Sequence, residues 1–230
     1  MNNKNKNICI IGGAGHVGAP LGLSLSLKDY KVTLIDQNKK NIKSLNEKKM
    51  PFLEDGCEPI LKKMVSKNRI FATTEFESIR NSKFVIICIG TPINNKSKPE
   101  IKKFINLFHN LKKYLQKNHI VIIRSSVSLG TCEKSYNIIK SKCQNLSYCP
   151  ERIAQGKSIK ELPKISQIVS AYTNKAKIES GKLFKKICKK VIFASIKEAE
   201  LIKLFSNAYR YINFSISNQF YMICEKENLN

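Results

Sequence analysis

The stretch NICIIGGAGHVGAPLGLSLSLKDYKVTLID, Asn7 to Asp36, decides the fold. Asn7 to Ile11 is a short apolar run that reads as a buried strand. The glycines make a tight turn, and an apolar-periodic segment follows from His16 to Leu27. Lys31 to Ile35 is a second strand, closed by Asp36. Gly13, Gly15 and Gly18 thus form G-x-G-x-x-G inside a strand–turn–helix–strand unit, with an acid about 20 residues on, the dinucleotide-binding pattern. Gly13 is expected to permit the turn, Gly15 to let the backbone approach a pyrophosphate, and Gly18 to let helix and strand pack closely. The helix N-terminus offers N–H groups and partial positive charge to phosphates. Asp36 suits a ribose diol and repels a 2′-phosphate, which favours NAD over NADP; Lys39 and Lys40 nearby act the other way.

A secretory reading of the same stretch fails on its composition. Lys4 and Lys6 precede a mostly apolar run from Ile8 to Leu27, but that run contains His16, Pro20 and several glycines, with no small-x-small cleavage site. No other stretch is long and apolar enough to span a bilayer, so no membrane association is expected.

The chain has 230 residues, 42% of them hydrophobic, enough for one full domain and part of another. The net charge of +24 raises a polyanionic partner. The base is nearly all Lys, scattered among Asn and Ile with no single stripe, whereas Arg is the usual reader of phosphates and base edges. Solvated faces under a compositional bias account for it, and no nucleic-acid partner is expected. Eight cysteines form no C-x-x-C pair, so no metal site is expected. Free buried thiols in a reducing compartment place the chain in the cytoplasm.

Further along, a helix is predicted from Lys39 to Glu47, a turn at Pro51 to Gly56, and a short helix from Pro59 to Ser66. Strands follow at Ile70 to Ala72 and Phe84 to Ile89, the second uniformly apolar, as for a central parallel strand covered on both faces. It runs into Gly90-Thr91-Pro92. A helix with Ile101, Ile105, Phe108 and Leu111 on one face leads to strand Ile120 to Ile123, ending in Arg124-Ser125-Ser126. Gly130 and Thr131 open another helix, and Leu146 to Tyr148 is a short strand. Alternating strands and helices indicate α/β class, a Rossmann-like doubly wound parallel sheet whose ligands bind at the carboxyl ends of the strands. The region Cys149-Pro150-Glu151 reads as a domain junction. A small α/β piece follows: Gln167 to Val169, a helix from Asn174 to Ile187, and Val191 to Phe193. Ser195 and Glu198 fit a capping box. The helix they open runs to Asn228, roughly 50 Å.

These segments together resemble the UDP-glucose/GDP-mannose dehydrogenase family. Gly13 to Pro20 is similar to its glycine loop, Ile87 to Pro92 to its V-G-T-P segment, and Ser125 to Thr131 to its S-T-V-x-x-G-T, with Ser at 126. Tyr148 to Arg152, then Gly156, resembles the P-E-R-x-x-x-G segment of its N-acetylhexosamine branch. Ala199 to Asn207, then Arg210, resembles A-E-x-x-K-L-x-x-N-x-x-R. The resemblance implies a two-step oxidation of the C6 alcohol of a UDP-sugar to the acid with NAD, through a Cys nucleophile. The branch points to a UDP-N-acetylhexosamine; the alternatives are UDP-glucose or a non-catalytic NAD-binding remnant. A 3-hydroxyacid dehydrogenase relative shares the Lys-x-x-x-Asn spacing but not the P-E-R segment.

By resemblance, Glu151 serves acid/base and hydrolysis steps and touches the cofactor. Lys203 and Asn207, on one helix face by their spacing, hold the C6 oxygen or a water. His16, Val17, Gly90, Thr91, Pro92, Ser126 and Thr131 join the glycines and Asp36 around NAD, and Arg152 joins Lys203 and Asn207 at the substrate. Arg210 either binds the substrate of a partner subunit or pairs with Glu200 or Glu198. Residues 1–150 are read as the NAD-binding domain, 151–194 as its remainder and the junction, and 195–230 as the start of a central helix that forms homodimers. The family's Cys lies in a glycine-rich loop after that helix. The last glycine here is Gly181, so the loop and the UDP-binding domain are expected to be missing from this chain. Cys224 has no glycine neighbours. Gln155 and Gln219 stand where many relatives carry an acid.

Overall fold

The computed structural model describes residues 6–91, 100–153 and 156–229. Its strands are β1 (Asn7–Ile11), β2 (Lys31–Ile35), β3 (Ile70–Thr73), β4 (Phe84–Ile87), β5 (Ile120–Ile123), β6 (Leu146–Tyr148), β7 (Ser166–Ala171) and β8 (Lys190–Phe193). They form one sheet in the order β3-β2-β1-β4-β5-β6-β7-β8. Strands β4 and β5 are buried along their whole length, as runs of Phe, Val and Ile covered on both faces must be. Ile11 pairs with Ile35 on one side and Ile87 on the other. The chain thus leaves β1 toward β2 and β3, then crosses back to β4, which opens a crevice at the carboxyl end of β1.

The helices are α1 (Gly18–Ser26), α2 (Lys39–Asn46), α3 (Cys57–Ser66), α4 (Ile101–Leu111), α5 (Thr131–Ile139), α6 (Ser158–Glu161), α7 (Asn174–Lys185) and α8 (Ile196–Lys226). One apolar layer under α1 gathers Ile8, Ile10, Leu21, Leu25 and Leu34; the other, under α4 and α5, gathers Ile11, Val85, Phe104, Phe108 and Ile123. Pro20 falls in the first turn of α1, where its missing N–H removes no helical bond. Gly12 takes the left-handed conformation, at φ 75°, and the turn leaves no room for a side chain at Gly13, where an added Cβ would lie 2.7 Å from the Ile10 carbonyl oxygen. A side chain at Gly18 would put its Cβ 2.3 Å from the Gly12 carbonyl oxygen, so α1 can start this close to β1 only with glycine there.

The predicted α/β piece after residue 150 continues the main sheet. β7 runs antiparallel to β6, with Ser147 opposite Ala171 and Tyr148 opposite Ser170, and Ser170 Oγ donates to the Tyr148 carbonyl at 2.9 Å. β8 then pairs parallel to β7. Helix α8 starts with the predicted capping box: Ser195 accepts from the Glu198 N–H, and Glu198 accepts from the Ser195 N–H at 2.7 Å. Only its first two turns bury residues, namely Ala199, Glu200 and Lys203. From Ala208 onward the helix stands exposed, Cys224 alone being half-buried.

Candidate functional site

A cleft of about 750 Å³ opens at the crevice, lined by Gly12, Gly15, Asp36, Cys88, Gly90 and residues of α4. Asp36 shapes one wall. Its Oδ2 accepts the Ala14 N–H at 3.1 Å and its Oδ1 accepts the Asn38 N–H at 3.0 Å. Each oxygen keeps a lone pair for another donor. Gly15 is open where a side chain would stand: an added Cβ would meet only the Gly12 carbonyl oxygen, at 3.5 Å. The N-terminus of α1 has no side-chain cap and no acidic residue in its first turn. An uncapped helix end beside an open glycine and a carboxylate fits a pyrophosphate flanked by a ribose.

Beyond β4 the loops are tied together. Thr91 Oγ1 donates to the Ser126 carbonyl at 2.6 Å, and Ser125 Oγ to the Ile89 carbonyl at 2.6 Å. A second hollow of about 160 Å³ is lined by Thr91, Phe104, Ser126, Ser128, Thr131 and Leu204. Thr131 is buried there, and its hydroxyl lies 3.0 Å from that of Ser128. The start of α5 is occupied by the protein itself: the carboxylate of Glu200, on α8, accepts the N–H groups of Gly130 at 2.8 Å and Cys132 at 2.9 Å. Pro92, predicted at this end of the cleft, lies outside the described residues.

Glu151 sits where β6 gives out, with its side chain 14% exposed. Its Oε1 accepts the N–H groups of Arg152 at 2.6 Å and Ile153 at 2.9 Å. Its Oε2 accepts from Arg124 Nε at 2.8 Å and lies 2.5 Å from Nη2 in the same ion pair. Arg124 is wholly buried; Nη1 bonds Gln167 Oε1 at 2.8 Å, and the guanidinium lies 5.0 Å from the centre of the Phe184 ring. Burial, the largest single effect, would lower the arginine's pKa, but the Glu151 carboxylate together with Cys88, Cys188 and Cys149 outweighs it and holds it above the ordinary value. The sequence motifs did not single out Arg124. The signal was there: an arginine in a lysine-rich chain, directly after an apolar strand, is the residue type that two-pronged carboxylate binding requires.

Lys203, one turn into the packed part of α8, donates its ammonium to the backbone carbonyl of Glu151. Burial pushes the lysine below its ordinary value; the Glu151 carboxylate opposes this, and Arg210, Arg124 and Arg152 add to it. Asn207 follows four residues on, half-buried, while Arg210 is exposed. Arg152 is half-buried beside Glu151. His16 is exposed in the glycine loop, its ring 3.9 Å from that of Phe52. His16 and Val17 border Glu151 and Ile153 across a gap of about 10 Å³. Glycine loop, Glu151 and Lys203 therefore come together. All eight cysteines are free. Cys88 lines the cleft, and its thiol is pushed up to about 12, chiefly by burial. Among the described residues no cluster of His, Cys, Asp and Glu could hold a metal ion. No described helix is long and apolar enough to cross a membrane.

Residues 6–192 match the family model described as UDP-glucose/GDP-mannose dehydrogenase family, NAD binding domain. The UDP-N-acetyl-D-mannosamine dehydrogenase of Methanococcus vannielii is 27% identical over 232 residues, covering 99% of this chain and 53% of the relative. That of Methanocaldococcus jannaschii is 26% identical, covering 100% and 54%. The chain spans about half the length of the curated relatives it matches. Among solved structures, the UDP-D-ManNAc dehydrogenase of Pyrococcus horikoshii superposes with TM-score 0.88 at 24% identity, covering 97% of this chain and 55% of that one. A GDP-mannose dehydrogenase of Pseudomonas aeruginosa, in a ternary complex, gives 0.87 at 20% identity, with 97% and 54% covered. These two likenesses carry the fold.

Proposed function

The chain belongs to the UDP-glucose/GDP-mannose dehydrogenase family, whose NAD-binding domain it carries, and from this we propose that it is the N-terminal part of an NAD-dependent UDP-N-acetylhexosamine 6-dehydrogenase. The observation that carries the reading is Glu151 gripped by Arg124, with Lys203 on its carbonyl, next to the glycine loop. The names of its relatives supply the sugar class.

Asp36 would receive the adenosine ribose hydroxyls, and the first turn of α1 the pyrophosphate. Gly90, Thr91, Ser126 and Thr131 would line the other end of the cofactor. Bound NAD supplies the hydride acceptor. Lys203 and Asn207 would present an ammonium and an amide to the C6 oxygen, stabilising negative charge there. A lysine pushed below its ordinary value parts with a proton more readily, which suits it to exchange one with that oxygen. Glu151, its carboxylate held by Arg124 and by the N–H groups of Arg152 and Ile153, would serve the acid/base and hydrolysis steps, and Arg152 and Arg210 would meet the nucleotide sugar. A second oxidation to the acid needs a thiolate. The thiol lining the cleft, Cys88, is too weakly acidic to provide one. We therefore expect this chain alone to bind NAD without turnover, to pair with a second copy through the exposed apolar length of α8, and to work in the cytoplasm.

The test is to mix the purified chain with NAD and UDP-N-acetylmannosamine. Binding without accumulating NADH is expected. Steady NADH release would overturn the claim that this chain lacks an essential group, and absence of NAD binding would overturn the cofactor reading.

A further inference from the structure

The turn between α2 and α3 reaches across the molecule to the segment that follows Glu151. Glu54, 5% exposed, accepts the Gly156 N–H on Oε2 and the Ser158 N–H on Oε1, each at 2.8 Å. The main chains meet there too, with the Asp55 N–H donating to the Gly156 carbonyl at 3.2 Å. On the outer side Lys160 pairs with Asp55 at 2.5 Å. The same turn holds the cofactor side, because Phe52 lies against the His16 ring.

Burying a carboxylate is unfavourable unless strong hydrogen bonds satisfy it. Here both bonds go to backbone amides on one short segment, 102 and 104 residues away in the chain. On the inner side Ser158 and Leu162 join Ile153 and Glu151 against His16, Val17 and Leu21, leaving about 10 Å³ between them. The turn therefore grips the glycine loop with one residue and the Glu151 segment with another.

We propose that Glu54 is a positioning residue that couples the phosphate-binding turn of α1 to Glu151, by clasping Gly156 and Ser158 so that the Glu151 segment stays closed on His16 and Val17. The proposal rests on the reading of the α1 cleft as an NAD site. Order imposed at α1 by NAD then spreads to Arg152, Ile153, Gly156 and Ser158 through Phe52 and Glu54.

Amide hydrogen exchange of the whole chain, with and without NAD, reads this directly. In the wild type, NAD slows exchange at Arg152, Ile153, Gly156 and Ser158. In Glu54→Gln the apo protein exchanges Gly156 and Ser158 about tenfold faster or more, because one acceptor becomes a donor facing an N–H. NAD no longer slows these amides, although its Kd stays within about threefold, since Asp36 and α1 are untouched. Phe52→Ala is the second variant. It keeps the apo protection of Gly156 and Ser158 and loses the part that NAD adds. A Glu54→Gln protein with wild-type exchange, or with full protection by NAD, overturns the coupling alone. A wild type that does not bind NAD overturns it together with the cofactor reading; the clasp itself is read without NAD.

Discussion

Lys203 donates to the backbone carbonyl of Glu151, 52 residues earlier in the chain, and so ties the root of α8 to the end of β6. Three residues before it on the same helix, Glu200 caps α5. Two buried charges of opposite sign thus fix one helical turn, Glu200 against the start of α5 and Lys203 against Glu151. An ammonium aimed at a carbonyl rather than at the nearby carboxylate leaves the Glu151 side chain to Arg124 and to the N–H groups of Arg152 and Ile153.

Because the Arg124–Glu151 pair is buried on the arginine side, Arg124→Met should destabilise the chain by about 3 kcal/mol or more, leaving a partly buried carboxylate without its partner. Arg124→Lys should recover part of this by restoring charge without the two-pronged geometry. Urea denaturation measures both. A loss below about 1 kcal/mol for Arg124→Met, the range of an exposed pair, would show that the pair does not hold the site.

Lys203 predicts a pH signature. Its folded-state pKa lies below the unfolded value of 10.5, so between the two the unfolded chain binds more protons. Its contribution to stability therefore rises with pH across that window and levels off above 10.5. The stability of the wild type relative to Lys203→Met should increase as pH climbs toward 10.5 from below. A difference that stays flat, or falls, would contradict the burial of the ammonium.

Glu200→Gln should cost about 1–3 kcal/mol, since one of its two charge-assisted bonds to the first turn of α5 is lost and a donor is set against an N–H. Denaturant unfolding gives the number. Amide exchange should rise at Gly130 and Cys132, and unchanged exchange there would remove the cap from the account.

How much of this was legible in the sequence follows from how local each signal is. The uniformly apolar strands Phe84–Ile87 and Ile120–Ile123, the glycine turn with Asp36, and the Ser195–Glu198 box are each written within a few residues. The left-handed conformation of Gly12 was not legible, because it depends on how the end of β4 packs against the turn. The antiparallel pairing of β7 depends on which sheet edge is free after β6, not on any pattern within β7. The roles of Arg124 and Glu54 span 27 and 102 residues, so only the folded sheet brings those partners together.

The exposed face of α8 carries Tyr209, Ile212, Ile216, Phe220 and Ile223, each at least 46% accessible. Sedimentation should show a dimer that Ile212→Glu with Ile216→Glu converts to monomer. A wild-type monomer at high concentration would remove the helix as a self-association surface for this chain.

The most direct measurement is a calorimetric titration of NAD into the chain, with Asp36→Ala alongside. The account predicts saturable binding by the wild type and a loss of about tenfold or more in affinity for the variant, the worth of hydrogen bonds to a charged acceptor. No binding by the wild type, or equal affinity in the variant, would contradict it.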